Sequence, residues 1–225
     1  SRMLRDMLRL EGYAVGRKRV RRLMRLMGIA AIYQKPKTTQ RHAAHPVYPY
    51  LLRNLSITRS NHVWCADITY IPMKRGFVYL FAVMDWGSRK VLAWRISNTM
   101  TTDFCIEAVQ EALLRYGKPE IFNTDQGSQF TSDKYIDFIR NSGIRQSMDG
   151  KNRWANNIMI ERWFRSFKYE EAYLTEYANL KEAREAIGRY IYTYNFERCH
   201  QSIGNKRPAE VYYPVMLLDA ARAAA

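Results

Sequence analysis

Between residues 62 and 97, apolar runs rich in β-branched and aromatic side chains alternate with short polar breaks. His62–Ile71, Gly76–Asp85 and Arg89–Ser97 each carry this pattern and predict three strands. The tight turn Asp85-Trp86-Gly87-Ser88 predicts an antiparallel pairing of the last two. Beyond them the apolar period lengthens. Thr102 or Asp103 can cap a helix running to Tyr116, closed by Gly117 with Pro119 beyond. A short strand (Glu120–Asn123), a helix near Ser132–Asn141 and another short strand (Ile144–Met148) follow. A long helical region from about Asn156 to Tyr173 comes next, and a helix-rich stretch, Leu180–Phe196, ends the core. The order β-β-β-α-β-α-β-α predicts an α/β fold, a mixed sheet with helices against its faces.

The front of the chain follows a different pattern. Residues 3–12 and 17–28 show apolar side chains at helical spacing, each run closing on a glycine. In the second run Val20, Leu23, Met24 and Met27 form one face, and Arg19, Arg22 and Arg25 lie elsewhere on the cylinder. Two short helices joined by Tyr13–Gly16 suggest part of a helix-turn-helix. The chain opens on Ser1 and not Met, so the expectation is that an opening helix is missing. Residues 29–60 are polar and punctuated by proline, which predicts a linker. The alanine-rich end, 220–225, predicts a disordered tail.

Charge narrows the choice of partner. The chain of 225 residues carries a net +15, and residues 1–41 supply +10 of it from twelve basic and two acidic side chains. Arginine dominates there, and its planar fork suits phosphate oxygens. Nucleic acid is the expected partner, ahead of an acidic protein or a membrane surface. The longest apolar run, Phe77–Met84, is far too short to span a bilayer, and no signal peptide is visible. Cys65, Cys105 and Cys199 are scattered and lack CxxC spacing, which fits packing residues in a reducing cytoplasm. His42 and His45 have no such companion either and are not read as a zinc site.

Three carboxylates stand out against this basic background. Asp67 lies mid-strand among apolar neighbours, where an unpaired charge is costly. Asp125 follows the fourth strand directly, and if that strand lies beside the first, the two carboxylates approach each other. Glu161 shares a helix face with Arg165 and Lys168, opposite the apolar stripe Met159, Ile160, Trp163, Phe164 and Phe167. Such a group repels itself unless cations neutralise it, and oxygen ligands without His or Cys select Mg²⁺ or Mn²⁺. Two such ions can serve phosphodiester chemistry. Each residue also has a purely structural reading: a buried ion pair for Asp67, an Asx turn for Asp125, a surface position for Glu161.

As a set, the motifs resemble the insertion-sequence transposases with a retroviral-integrase-like core, of the DDE superfamily with a ribonuclease-H-like fold. They are W-x-A-D-I-T-Y-I (Trp64, Ala66–Ile71), V-M-D-W-x-S-R (Val83–Trp86, Ser88, Arg89) and T-D-Q-G-S-Q-F (Thr124–Phe130). I-E-R-W-F-R-S-F-K-Y-E (Ile160–Glu170) and H-Q-S-I-G-x-x-x-P-A-E-V-Y (His200–Gly204, Pro208–Tyr212) complete the set. The thirty-five residues between Asp125 and Glu161 match the family's spacing. The resemblance covers essentially residues 1–213 and implies that Asp67, Asp125 and Glu161 are the catalytic triad, holding two divalent ions. It further implies a basic helix-turn-helix-like DNA-binding segment at 1–41, a linker at 42–60 and a catalytic core at 61–175. A C-terminal helical part of that core at 176–213 and a tail at 214–225 follow.

Such enzymes cut phosphodiester bonds at their element's ends with water and join strands through a 3′-hydroxyl, both in-line displacements at phosphorus. Lys168 matches the family's basic residue two turns after the Glu. Arg153, Arg162, Arg165, Asn157, Arg19, Arg22 and Arg25 are the further expected DNA contacts. Trp154 and Trp163 could stack on unpaired bases, although core packing also accounts for Trp163. Gly127 is expected to let the backbone approach metal or DNA. Asp85 reads as a hairpin-turn residue and not a ligand. Asn156 departs from the family pattern, which has Asp there and so one more negative charge near the metals; Asn still caps a helix. Partners implied are element and target DNA, further copies of the chain, and a product of an upstream reading frame, in the bacterial cytoplasm at the nucleoid. A catalytically silent DNA-binding remnant and a nuclease of the same fold remain the alternatives.

Overall fold

A computed structural model describes residues 2–29, 48–149 and 157–213. The chain divides into two compact units, residues 38–188 and residues 1–37 with 189–225. The larger is built on five strands: β1 (Val63–Pro72), β2 (Phe77–Asp85), β3 (Val91–Ser97), β4 (Ile121–Thr124) and β5 (Arg145–Met148). Their order is β3-β2-β1-β4-β5. The first three pair antiparallel, and β4 and β5 join β1 in parallel. Mixed pairing places β1 centrally, with Val63, Trp64, Cys65 and Ala66 all wholly buried. Consecutive burial of this kind requires both faces of the sheet to be covered.

Helices supply that cover. Helix α3 (Asp103–Tyr116) packs on β2 and β3, with Phe104 meeting Phe81 edge to face at 6.2 Å. Ala82 follows Phe81 and so points to the other face, and its ladder partner is Asp67. Asp67 therefore faces away from α3. Helix α5 (Ile158–Phe167) packs on β1, and Ile160, Trp163, Phe164 and Phe167 form its buried stripe, as the spacing predicts. Helix α4 (Asp133–Asn141) starts at Ser132, whose hydroxyl accepts from the Tyr135 N–H. Thr102 occupies the cap position of α3 without a side-chain cap bond, and Gly117 ends that helix at φ 79°. The mixed sheet flanked by helices is the architecture expected from the pattern.

Two local features differ from expectation. The helical region after residue 157 is not uniform: at Lys168 it widens into a π-helical turn, Lys168–Ala172. Within the expected linker, Leu52 is buried against Val63 and Ile121, with Tyr50, Leu51, Leu55 and Ile57 packed beside it. Polar punctuation there marks an irregular backbone, which still buries its few apolar side chains. Asp85 is the turn residue foreseen: it accepts from the N–H (2.8 Å) and hydroxyl (2.6 Å) of Ser88 and from the Asn61 N–H (2.8 Å).

In the smaller unit, α1 (Arg2–Leu10) and α2 (Arg17–Leu26) pack together. Val20 is buried, whereas Leu23 and Met27 of the expected apolar face are exposed. One helix partner can cover only part of such a stripe. Further along the chain come α6 (Leu180–Phe196), a 3-10 turn (Gln201–Ile203) and α7 (Pro208–Tyr212). His42, His45, Arg153, Trp154, Asn156 and the tail lie outside the described residues. Among the described residues no helix is long and apolar enough to cross a membrane.

Candidate active site

The last rung joining β1 to β4 pairs Cys65 with Asn123. Asp67 and Asp125 each lie two residues beyond it. Asp125 thus sits just past the carboxyl end of β4, level with Asp67 in the middle of β1. Asp67 remains partly exposed, yet its carboxyl is held well above the usual carboxylate range. Loss of water around it is the first cause and the charge of Asp125 the second. Glu161 and Asp149 push in the same direction, while the Ile68 N–H, donating to Asp67 Oδ1 at 2.7 Å, opposes them.

Asp125 is held by its own loop. Its Oδ1 accepts the Gly127 N–H at 2.8 Å, an Asx turn. A Cβ on Gly127 would stand 2.9 Å from that same Oδ1 and 3.3 Å from the Phe130 ring. The carboxylate and the ring by themselves leave no room for a side chain at this position. Phe130 anchors the far end of the loop, buried against Phe81 (6.0 Å) and Tyr135 (5.4 Å). The turn that explains Asp125 structurally also fixes where its carboxylate stands.

Glu161 is exposed on α5, opposite the buried stripe. Its height relative to β1 is set one turn earlier. Asn157 is only 1% exposed, and its Nδ2 donates to the Ala66 carbonyl at 3.1 Å, directly before Asp67. Asn157, expected as a DNA contact, here ties α5 to β1 through its amide. Asn157 also occupies the N-cap position of α5, without a side-chain cap bond. Lys168 lies near Asp67, whose charge favours its ammonium, although burial is the larger influence and lowers its pKa. Arg162 and Arg165 are exposed on α5. Trp163 is 2% exposed and stacked on Phe167 at 6.0 Å, so it is a core residue and not a platform for bases. In the other unit, Arg19, Arg22 and Arg25 are all exposed on α2.

A fourth carboxylate escaped the sequence reading. Asp149 follows β5 as Asp125 follows β4, and it is 8% exposed. The sign available in the sequence was its place directly after an apolar-ended strand, the same sign that singled out Asp125. Among the described residues, no three His, Cys, Asp or Glu side chains already stand as a ready-made ligand set. The donors nevertheless fit a hard divalent cation. They are all oxygen, and the repulsion felt at Asp67 is what a cation would relieve.

Comparison with known proteins identifies the family and the fold. Integrase core domain models match residues 57–153 and 142–208, and an HTH-like domain model matches residues 1–37. The transposase for insertion sequence element IS904 of Lactococcus lactis is 34% identical over 205 residues, covering 88% of this chain and 81% of that protein. Transposase InsF for insertion sequence IS3A of Escherichia coli is 32% identical over 213 residues, covering 92% and 74%. Among solved structures, a chain of the simian T-cell lymphotropic virus intasome superposes with a TM-score of 0.62 at 18% identity. That match covers 76% of this chain and 60% of the viral one. The magnesium complex of the HTLV-2 integrase catalytic core domain (trimeric form) gives 0.57 at 25% identity, covering 68% and 97%. The fold is ribonuclease-H-like.

Proposed function

The chain belongs to the insertion-sequence transposases with an integrase core domain, and we propose that it cuts and joins DNA at element ends through Asp67, Asp125 and Glu161. What supports the triad is the register that sets Asp125 level with Asp67, together with the charges of Asp125 and Glu161, from two distant segments, disfavouring the ionised form of Asp67. In this reading the three carboxylates hold two Mg²⁺ or Mn²⁺ ions, which when bound supply charge neutralisation at the phosphate under attack. The Gly127 N–H and the Asn157 amide keep Asp125 and α5 in place. Lys168, beside Asp67, holds a non-bridging phosphate oxygen, and Arg162 and Arg165 receive the DNA backbone alongside.

In the same reading residues 1–41 bind DNA through Arg19, Arg22 and Arg25, residues 61–175 carry the chemistry, and copies assemble on paired ends. Arg153 would join them from outside the described residues. A product of an upstream reading frame supplies further DNA contacts, and the work is done on nucleoid DNA in the bacterial cytoplasm.

The test is incubation with a duplex carrying the element's ends and Mg²⁺, followed by separation of nicked and joined strands. Products are expected from the wild type and none from Asp125→Asn, with folding and DNA binding retained. Undiminished products in that variant would remove the triad from the mechanism. DNA binding without cleavage in the wild type supports the silent remnant instead, and cleavage without joining supports a nuclease.

A further inference from the structure

We propose that Asp149 is a positioning residue for Asp125, holding the end of β4 by hydrogen bonds and raising the site's affinity for divalent cations by its charge. The inference rests on the triad reading above and extends it to a residue that the motifs do not contain.

The topology comes first. Strands β4 and β5 are parallel, and their last rung pairs Thr124 with Met148. The next residue on each strand is an aspartate. The two acids therefore emerge side by side at the same end of the sheet, although twenty-three residues separate them in the chain.

The bonding is directed at the residues around Asp125. The Asp149 N–H donates to the Thr124 carbonyl at 3.1 Å. Its Oδ1 accepts Nδ2 of the wholly buried Asn123 at 3.1 Å, and its carbonyl accepts Nε2 of Gln126 at 2.5 Å. Residues 123, 124 and 126 are thus all tied to Asp149, and Asp125 is the one they enclose. The network reaches further: the Ser147 hydroxyl donates to Asn123 Oδ1 at 2.8 Å and accepts the Leu51 N–H at 3.0 Å. Each donor in the series Leu51, Ser147, Asn123 polarises the next, and the series ends on a carboxylate.

A buried acceptor for Asn123 does not require an acid. Asn would accept the same bond without the cost of burying a charge. The charge itself therefore needs a use, and register places it next to Asp125, at the same end of the sheet. A fixed negative charge beside three oxygen ligands strengthens their hold on a divalent cation.

The experiment compares Asp149→Asn and Asp149→Ala with wild type and Asp125→Asn, all as the full chain. Mn²⁺ binding is followed by loss of the free-ion electron paramagnetic resonance signal, and end cleavage is measured at saturating Mn²⁺. Asp149→Asn keeps the bond to Asn123 and loses the charge, so it should bind Mn²⁺ on the order of fivefold more weakly while keeping its saturated rate. Asp149→Ala loses both, and its saturated rate should fall by about tenfold to a hundredfold through misplacement of Asp125. Wild-type Mn²⁺ affinity in Asp149→Asn overturns the charge role, and a wild-type rate in folded Asp149→Ala overturns the positioning role. Should Asp149→Ala not fold, the Asn variant still decides the proposal. If Asp125→Asn binds Mn²⁺ as wild type does, the triad reading itself fails. If Asp125→Asn alone loses Mn²⁺, only the assignment of Asp149 is lost.

Discussion

Asp67 and Asp125 stand in matching register on parallel neighbours, each two residues past the Cys65–Asn123 rung, and the charge of Asp125 bears directly on the Asp67 carboxyl. Two like charges placed this way oppose folding unless a proton or a cation intervenes. Neither acid is a passive surface group.

The first prediction concerns pH. The folded pKa of Asp67 lies above its unfolded value, so its stabilising contribution is complete below the unfolded carboxylate pKa of about 3.9 and is lost as pH rises through the folded value. Metal-free protein should therefore melt at lower temperature near pH 7 than this one group would allow at mildly acidic pH. Asp67→Asn should raise the neutral-pH melting temperature and flatten that dependence. Adding Mg²⁺ should raise it in wild type and much less in Asp67→Asn. Thermal melts over pH, with and without Mg²⁺, check both; a lower melting temperature in metal-free Asp67→Asn at pH 7 would contradict the sign.

Gly127→Ala tests the Asx turn. The added methyl must displace the Asp125 carboxylate or the buried Phe130 ring. We expect a loss of about 1–3 kcal/mol in stability. End cleavage should fall far more than the stability change explains. Urea titration beside the cleavage assay separates the two. A variant as active as wild type would show that the carboxylate can move without consequence.

Asn157→Ala removes the bond that ties α5 to β1 beside Asp67. Its direct cost is about 1–3 kcal/mol, because the Ala66 carbonyl is left buried. Because the amide is buried on the Ala66 carbonyl, affinity for duplex should stay within about twofold of wild type, well under 1.4 kcal/mol. A large loss of DNA binding in folded protein would restore Asn157 to the DNA interface.

Replacing Arg19, Arg22 and Arg25 together by Ala should weaken binding to duplexes of any sequence. For every phosphate that is no longer neutralised, the slope of log affinity against log salt should become shallower by about 0.9. Filter or fluorescence titrations across salt read this directly. An unchanged slope would place the phosphate-binding groups elsewhere.

Asp85 supplies the contrast. It is wholly buried and accepts three hydrogen bonds within the β2–β3 turn and from Asn61. Asp85→Ala should cost about 2–5 kcal/mol, through donors left unpaired, and leave Mn²⁺ affinity unaltered. Weakened Mn²⁺ binding in the folded variant would make Asp85 part of the site.

Much of this molecule was legible in local pattern. The periods of two and of about 3.6 located the strands and helices, Ser132 and Gly117 acted as start and stop, and the buried stripe of α5 followed its spacing. The family motifs singled out Asp67, Asp125 and Glu161 by residue type and interval. The inward bond of Asn157 was not legible because a polar residue in a basic, motif-bearing segment looks the same whether it turns outward to phosphate or inward to a carbonyl. Asp149 was passed over because nothing within a few residues of it records that β5 lies beside β4.

Residue chemistry and periodicity, both local properties, were enough to determine which elements form, which faces are apolar and that the acids could only offer oxygen ligands. Strand order and register were decided by tertiary structure alone. They arise when buried faces far apart in the chain settle against each other, and they put Asp125 beside Asp67, Asp149 beside Asp125, and the Asn157 amide under Ala66.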